Sequence, residues 1–275
     1  MKNIFLILFI LATPLLQGQN RIFLKSKDSN QPISYANVWR ENKIFTSSDS
    51  LGVFYIDEKN INSKFKISAV GYKTIDSVKV TTQNTIHLEN DIIKLQEVAI
   101  SQKLGIKKIK NGTLKSGDVG INAEMNQNIA QIGKYFANNY DEVLYLDKFK
   151  FKAICSDKNR VVTILLYSVG ENGEPYKIIN AENIVCKLKK GHTTTEVDLS
   201  NLKMEFPKEG LFIVINYLFF EENKQYGEKN LNWYFYEPSI DAKSTNQFID
   251  TWYNDSNQWK KSNTYSLSFQ LIMAN

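Results

Sequence analysis

Short runs of alternating or wholly apolar residues recur about every ten residues along this chain, each closed by Gly, Asn, Asp or Pro, and that spacing restricts it to folds built from packed sheets. From Ile33 to Trp39 the alternation places Ile33, Tyr35, Asn37 and Trp39 on one side and Ser34, Ala36 and Val38 on the other, which predicts a strand. Val53-Phe54-Tyr55-Ile56, Phe65-Lys66-Ile67-Ser68-Ala69, Tyr72-Lys73-Thr74-Ile75 and Thr85-Ile86-His87-Leu88 continue the series. The turn before Val53 carries Asp49, which can bond its own backbone, and Gly52, which takes positive φ without steric cost. Residues 161–169 and 211–220 are nearly all apolar, Asn216 being the one clearly polar side chain of the second run. Both are expected to be central strands covered on two faces. Residues 129–136 fit either helix or strand spacing, with Met125, Ile129, Ile132 and Phe136 at helical intervals; Gly133 in the middle favours strand.

The N-terminus reads differently. Lys2 precedes an apolar stretch from Ile4 to Leu16 broken by Thr13 and Pro14, the pattern of a secretory signal, too short to span a bilayer comfortably. Cleavage is expected near Gly18 or Gln19, and no Cys follows to accept a lipid. The remainder, roughly 256 of 275 residues, is long enough for two cores. Residues 101–117 hold five lysines and three glycines and read as a basic linker. The expected organisation is a signal peptide over 1–19, a first β domain over 20–100, the linker, and a second β domain over 118–275. A net charge of +5 on an exported chain favours solubility or an anionic surface, and nucleic acid is not an expected partner.

The order of motifs in the first domain is informative. Pro32-Ile33 with Ala36-Asn37-Val38, Thr46 with Asp49 and Gly52-Val53-Phe54, the Val70-Gly71-Tyr72 turn and the closing Leu95-Gln96-Glu97-Val98 together resemble the carboxypeptidase-regulatory-like domain. The resemblance covers about residues 21–100 and implies a transthyretin-like, seven-stranded sandwich. It also implies an envelope setting, since relatives stand ahead of outer-membrane receptors in diderm bacteria. A receptor barrel cannot fit in the residues that remain. The second part is similar to the β-sandwich that often follows this module, through Gly173-Glu174-Pro175, Val197-Asp198-Leu199-Ser200 and Phe206-Pro207. The fold class is therefore all-β, the seven-stranded sandwich being followed by a jelly-roll-like sandwich of about eight strands.

The residues that carry chemistry in enzymes are sparse. A zinc peptidase needs two or three imidazoles and a carboxylate at fixed spacing, and the chain has two histidines, His87 near Glu89 in one domain and His192 beside Gly191 in a turn of the other. No Gly-x-Ser-x-Gly elbow or phosphate-cradling glycine loop is present. Carboxylates at Glu221, Glu222, Asp241 and Asp250 read as solvated loop acids, and a Ca²⁺ site from Asp250, Asn254 and Asp255 lacks the spacing of an EF-hand loop. Neither catalysis nor a cofactor or metal is expected. Cys155 and Cys186 lie in apolar surroundings; they pair as a disulfide if their Cα atoms fall within about 7 Å, or stand as two buried small hydrophobes.

The binding signal is aromatic. Trp233-Tyr234-Phe235-Tyr236, Trp252-Tyr253 and Trp259 concentrate flat rings near Asp250, Asn254 and Asp255. Trp233, Tyr236, Trp252, Tyr253 and Trp259 are candidates to stack on sugar faces, with Asp250 and Asp255 bonding hydroxyls. The alternative for these rings is ordinary core and surface. The resulting expectation is an exported, non-catalytic protein of the periplasm, outer membrane or medium, with no membrane span after processing, that recognises a glycan or another envelope component through its second domain. The alternative is a structural module that docks on an envelope protein by strand addition.

Overall fold

The structure is a computed structural model that describes residues 19–81, 84–91, 107–124, 129–227, 233–247 and 250–275. Most of the expected leader, the Leu95-Gln96-Glu97-Val98 motif, residues 101–106 of the expected linker and Met125 lie outside the described residues.

Among the described residues the first domain has seven strands, as expected: β1 (Gln19–Ser26), β2 (Asn37–Arg40), β3 (Lys43–Ser47), β4 (Val53–Asp57), β5 (Lys64–Ser68), β6 (Ile75–Lys79) and β7 (Thr85–Leu88). They form a three-stranded sheet ordered β4-β1-β7 and a four-stranded sheet ordered β3-β2-β5-β6. Ile22 and Leu24 of β1, Phe54 and Ile56 of β4, and Phe65 and Ile67 of β5 are buried in one core at alternating or near-alternating positions. The Asp49 to Gly52 signature has a local cause. Asp49 Oδ1 accepts from the backbone N–H of Leu51 at 2.8 Å and Val53 at 2.9 Å. Gly52 sits at φ +70°, where a Cβ would fall 2.8 Å from the Leu24 carbonyl oxygen. The predicted strand from Ile33 begins only at Asn37, because Tyr35 turns through φ +59°.

The second domain comprises β8 (Lys108–Gly112), β9 (Val119–Glu124), β10 (Ile129–Phe136), β11 (Tyr145–Cys155), β12 (Val161–Val169), β13 (Pro175–Ile178), β14 (Ile184–Lys187), β15 (Gly191–Asp198), β16 (Leu211–Tyr217), β17 (Lys224–Tyr226), β18 (Tyr234–Ser244), β19 (Thr251–Asp255), β20 (Gln258–Lys261), β21 (Tyr265–Leu267) and β22 (Phe269–Ala274). One sheet has seven strands, with β13-β12-β16-β10-β19-β20 in order and β14 on β12; the other has eight, built around β17-β18-β11-β22-β8. The sandwich is thus larger than the eight strands expected, since short segments such as β8, β9 and β21 join its second sheet. Residues 108–112, inside the expected linker, pair with β22 from Gly112↔Gln270 to Lys108↔Ala274, and Ile109 packs against the core.

Strand β16 explains its own composition. Leu211, Ile213, Ile215 and Tyr217 face the core between the sheets, whereas Phe212 and Val214 pack with Leu165 and Tyr167 in a separate cluster. Val70 of the first domain packs on that cluster. The two domains are also hydrogen-bonded: Ser47 N–H donates to the Phe219 carbonyl at 3.1 Å, Thr46 Oγ1 to the same oxygen at 2.9 Å, and Asn183 Nδ2 to the Ser34 carbonyl at 3.0 Å. Gly71, at φ +80°, brings its turn so near residue 181 that a Cβ would lie 2.7 Å from that carbonyl oxygen. The first domain is therefore seated on the outer face of the seven-stranded sheet.

Candidate functional site

Between the seated domain and that sheet lies a cleft of about 750 Å³. Its floor is a single cross-strand row. Thr163 of β12 stands opposite Asn216 of β16, Asn216 opposite Gln131 of β10, Gln131 opposite Asn254 of β19, and Asn254 opposite Trp259 of β20. Directly opposed residues on one sheet face have Cβ atoms about 5 Å apart, so these side chains line up side by side across five strands. Trp259 is delivered by a tight hairpin whose two loop residues, Ser256 and Asn257, both have positive φ, as a primed two-residue turn requires. The first domain contributes Asn37 to the same row and Tyr35, Trp39 and Tyr72 to the facing wall.

From Thr163 to Asn254 each member of the row is hydrogen-bonded to the next. Asn216 Oδ1 accepts from Asn37 Nδ2 at 3.0 Å and Gln131 Nε2 at 3.1 Å, and Asn216 Nδ2 donates to Thr163 Oγ1 at 3.0 Å. Gln131 Oε1 accepts from Tyr167 OH at 3.3 Å and Asn254 Nδ2 at 3.4 Å. Burial pushes the Tyr167 hydroxyl well above its ordinary pKa, which keeps it protonated as a donor. Asn254 is only 6 % exposed, and its Oδ1 has no hydrogen-bond partner among the described residues. A buried carbonyl oxygen of this kind is rare and needs a reason. Trp259 meets Tyr167 edge to face, with centroids 5.5 Å apart, and Trp39 Nε1 is held by Ser68 Oγ at 2.9 Å.

Of the aromatic and acidic residues singled out in the sequence, the cleft gathers Trp259 and no other. Trp233, 40 % exposed, packs on Phe235, and Tyr236 stacks near Phe219 at 4.7 Å; both belong to the β18 side of the sandwich. Trp252 leans edge-on against Phe212 at 5.9 Å, and Tyr253 packs on the main core. Asp250 pairs with the buried Lys134 at 3.0 Å and Asp255 with Lys260 at 2.5 Å, so each carboxylate already has a cation. The sequence reading passed over Gln131, Thr163 and Tyr167, although each interrupts an apolar strand with a polar group, as Asn216 does.

The remaining candidates have structural surroundings. Cys155 and Cys186 are free, buried thiols, the second of the two alternatives, and burial pushes each up to about 12. His87 is exposed on β7, and Glu89 pairs with Lys27 at 2.6 Å and Lys73 at 3.4 Å. His192 opens strand β15 rather than occupying a turn, and its Nε2 lies 2.6 Å from Asp241 Oδ2. Asp241 is buried, not a solvated loop acid, and also accepts from Gly117 N–H at 2.6 Å. Glu221 takes Lys224 at 2.8 Å, while Glu222 offers its carbonyl to Arg160. Among the described residues no group of three or more His, Cys, Asp and Glu is placed to hold a metal.

Two solved structures resemble the chain. One is the cysteine protease and lectin-like domains of Cwp84, a surface layer associated protein of Clostridium difficile, at 12 % identity and TM-score 0.40; the match covers 84 % of this chain and 45 % of that one. The other is the clostridial cysteine protease Cwp84 after propeptide cleavage, at 11 % identity and TM-score 0.44, covering 94 % of this chain and 66 % of that one. This chain thus spans less than half of the first and about two thirds of the second. No curated protein matches it. The family described as the CarboxypepD_reg-like domain matches residues 24–100, a span that includes β2 to β7 and the end of β1, and the N-terminal domain of this protein is a carboxypeptidase-regulatory-like domain.

Proposed function

We propose that this is an exported, non-catalytic binding protein of the cell envelope whose ligand site is the cleft at the junction of its two domains. One observation carries the reading: a buried, unpartnered acceptor, Asn254 Oδ1, at the floor of a cleft walled by aromatic rings from both domains. Binding sites commonly lie at domain interfaces and combine apolar walls with a few convergent polar groups. Export is supported by the apolar stretch ahead of β1, and no helix among the described residues is long and apolar enough to cross a membrane. The first domain acts as one wall of the site and holds the amide row in place through Asn37.

The four tryptophans make a direct test, because Trp39 and Trp259 line the cleft while Trp233 and Trp252 do not. Residues 19–275 labelled with 5-fluorotryptophan are titrated with peptidoglycan fragments, neutral and anionic glycans and a peptide mixture. A cleft ligand shifts the fluorine signals of Trp39 and Trp259 and leaves Trp233 unmoved. If every compound leaves both signals in place, or if one is hydrolysed with loss of that turnover on chelation, the assignment falls.

A further inference from the structure

Resting on that cleft as the binding site, we propose that its ligand is a neutral saccharide, with one sugar ring lying on Trp259 and one hydroxyl donating to Asn254 Oδ1.

The hydrogen bonds of the row form one chain from Ser47 to Asn254. Phe219 N–H donates to Ser47 Oγ at 3.0 Å, and the Ser47 hydroxyl donates in turn to Asn37 Oδ1 at 3.2 Å. In that arrangement the Asn37 NH₂ faces Asn216, and Asn216 Oδ1 takes a second donor from Gln131. Gln131 accordingly presents Oε1 to Tyr167 OH and to Asn254 Nδ2. Turning Asn254 over would set two acceptor oxygens against each other, so its open atom is an acceptor. The ligand must bring a donor.

Three further features choose among donors. First, Asn254 and Trp259 are directly opposed in register, which sets the acceptor beside a flat ring. A sugar has that pairing built in, with an apolar C–H face for the ring and hydroxyls at its rim. Second, Thr163, Asn216, Gln131 and Asn254 are all uncharged, the cleft's charged residues, Lys66, Lys177 and Asp91, lying outside the row, and an ionised group pressed on the row would lose hydration without a counter-charge in it. Third, the floor is a sheet face whose strands are already paired on both sides at β16, β10 and β19. A peptide lying over these three strands therefore finds no open edge there at which to add main-chain hydrogen bonds. The volume of about 750 Å³ admits a ligand larger than one sugar ring, reaching Trp39 and Tyr72 on the opposite wall.

The test uses the fluorotryptophan-labelled residues 19–275 with neutral gluco-, manno- and N-acetylchito-oligosaccharides, alginate and heparin oligosaccharides as anionic comparators, and a peptide mixture. At least one neutral oligosaccharide is expected to shift Trp259 and Trp39. Its affinity should fall by ~10-fold or more in Asn254→Leu, which leaves the donated hydroxyl without an acceptor, and in Trp259→Ala. Trp233→Ala, on the other sheet, keeps full affinity. A melting temperature for Asn254→Leu within roughly 2–4 °C of the parent shows that folding is not the cause; if it drops further, Trp259→Ala and the fluorine shifts decide. Anionic glycans or peptides moving the cleft signals while neutral sugars do not would overturn the saccharide and leave the cleft standing. No movement with any compound would remove both, and loss of sugar binding in Trp233→Ala but not Asn254→Leu would put the site elsewhere.

Discussion

Asn216 and Asn254 sit in the same row, one strand apart from each other across Gln131, and the same substitution at the two positions should have very unequal costs. Asn216 is 3 % exposed, accepts from Asn37 and Gln131, and donates to Thr163, all at 3.0–3.1 Å. Leucine there deletes three hydrogen bonds worth about 1 kcal/mol each and leaves two buried amide donors facing a methyl group, each costing about 1 kcal/mol or more. After the gain from apolar burial the loss is about 3–5 kcal/mol, equivalent to roughly 6–20 °C in melting temperature for a chain of this size. Asn254 gives up only its 3.4 Å bond to Gln131, whose Oε1 keeps Tyr167, so leucine there costs about 0.5–1 kcal/mol. Urea unfolding followed by tryptophan fluorescence measures both. Equal midpoints for the two variants, or an Asn216→Leu loss under about 1 kcal/mol, would refute the argument that the row is a directional network with its open end at Asn254.

Three other expectations follow from groups outside the cleft. Glu196 is held down to about 2, chiefly by its hydrogen bond from Lys148 at 2.5 Å, then by Lys150. Because the folded pKa lies below the unfolded value, its contribution to stability is present above about pH 4.5 and lost as the pH falls toward 2. Glu196→Gln should flatten that part of the pH–stability curve, and 1 M salt should mimic it, since the carboxylate is substantially exposed. Arg160 and Glu237 form a buried ion pair at 2.6 Å, and Arg160→Met, which leaves the carboxylate its Ser156 hydrogen bonds and no counter-charge, is expected to cost about 3–5 kcal/mol in urea unfolding. Adding Glu237→Gln should cost less than the sum of the single changes; strict additivity would contradict the pairing. Cys155 and Cys186, with thiols pushed up to about 12, should resist iodoacetamide in the folded protein and alkylate together in denaturant, read by intact mass. Alkylation of either thiol before unfolding counts against their burial.

Local chemistry was legible in the sequence and non-local assembly was not. Asp49 and Gly52 announced their turn because the atoms they serve, the Leu51 and Val53 amides and the Leu24 carbonyl, are fixed by a few residues of chain and one neighbouring strand. The apolar run over residues 211–220 announced the central strand Leu211–Tyr217 because burial on both faces leaves no room for alternation. The aromatic residues misled for the complementary reason. Trp233 and Trp252 are close in sequence, yet β18 belongs to one sheet and β19 to the other, and packed sheets lie about 10 Å apart with the core between them. The cleft floor draws on β12, β16, β10, β19 and β20, whose order in the sheet bears no relation to their order in the chain. Its trace in the sequence is one polar residue in each of several apolar strands, too thin a signal to align without the register.

The same sheet face offers an internal comparison. One step along the strands from the polar row, Leu165, Val214 and Trp252 flank Gly133, and Val70 of the first domain closes over their cluster. That row shows how the two domains pack when only packing is at stake. The polar row beside it gives up apolar burial for hydrogen bonds that are individually worth little net stability, which is reasonable where a ligand must be read and unreasonable otherwise. Replacing the whole network at once, Asn37→Val, Gln131→Leu, Thr163→Val, Tyr167→Phe, Asn216→Leu and Asn254→Leu, removes donors and acceptors together and leaves Ser47 with its Phe219 partner. Replacing both partners of buried hydrogen bonds by apolar groups of similar shape is nearly neutral or stabilising. The sixfold variant should therefore melt at or above the parent, well above Asn216→Leu alone, while losing the Trp259 shift with any oligosaccharide. If it is instead less stable than the single variant, the amides are there to hold the domains together, and the cleft is an interface with no ligand to read.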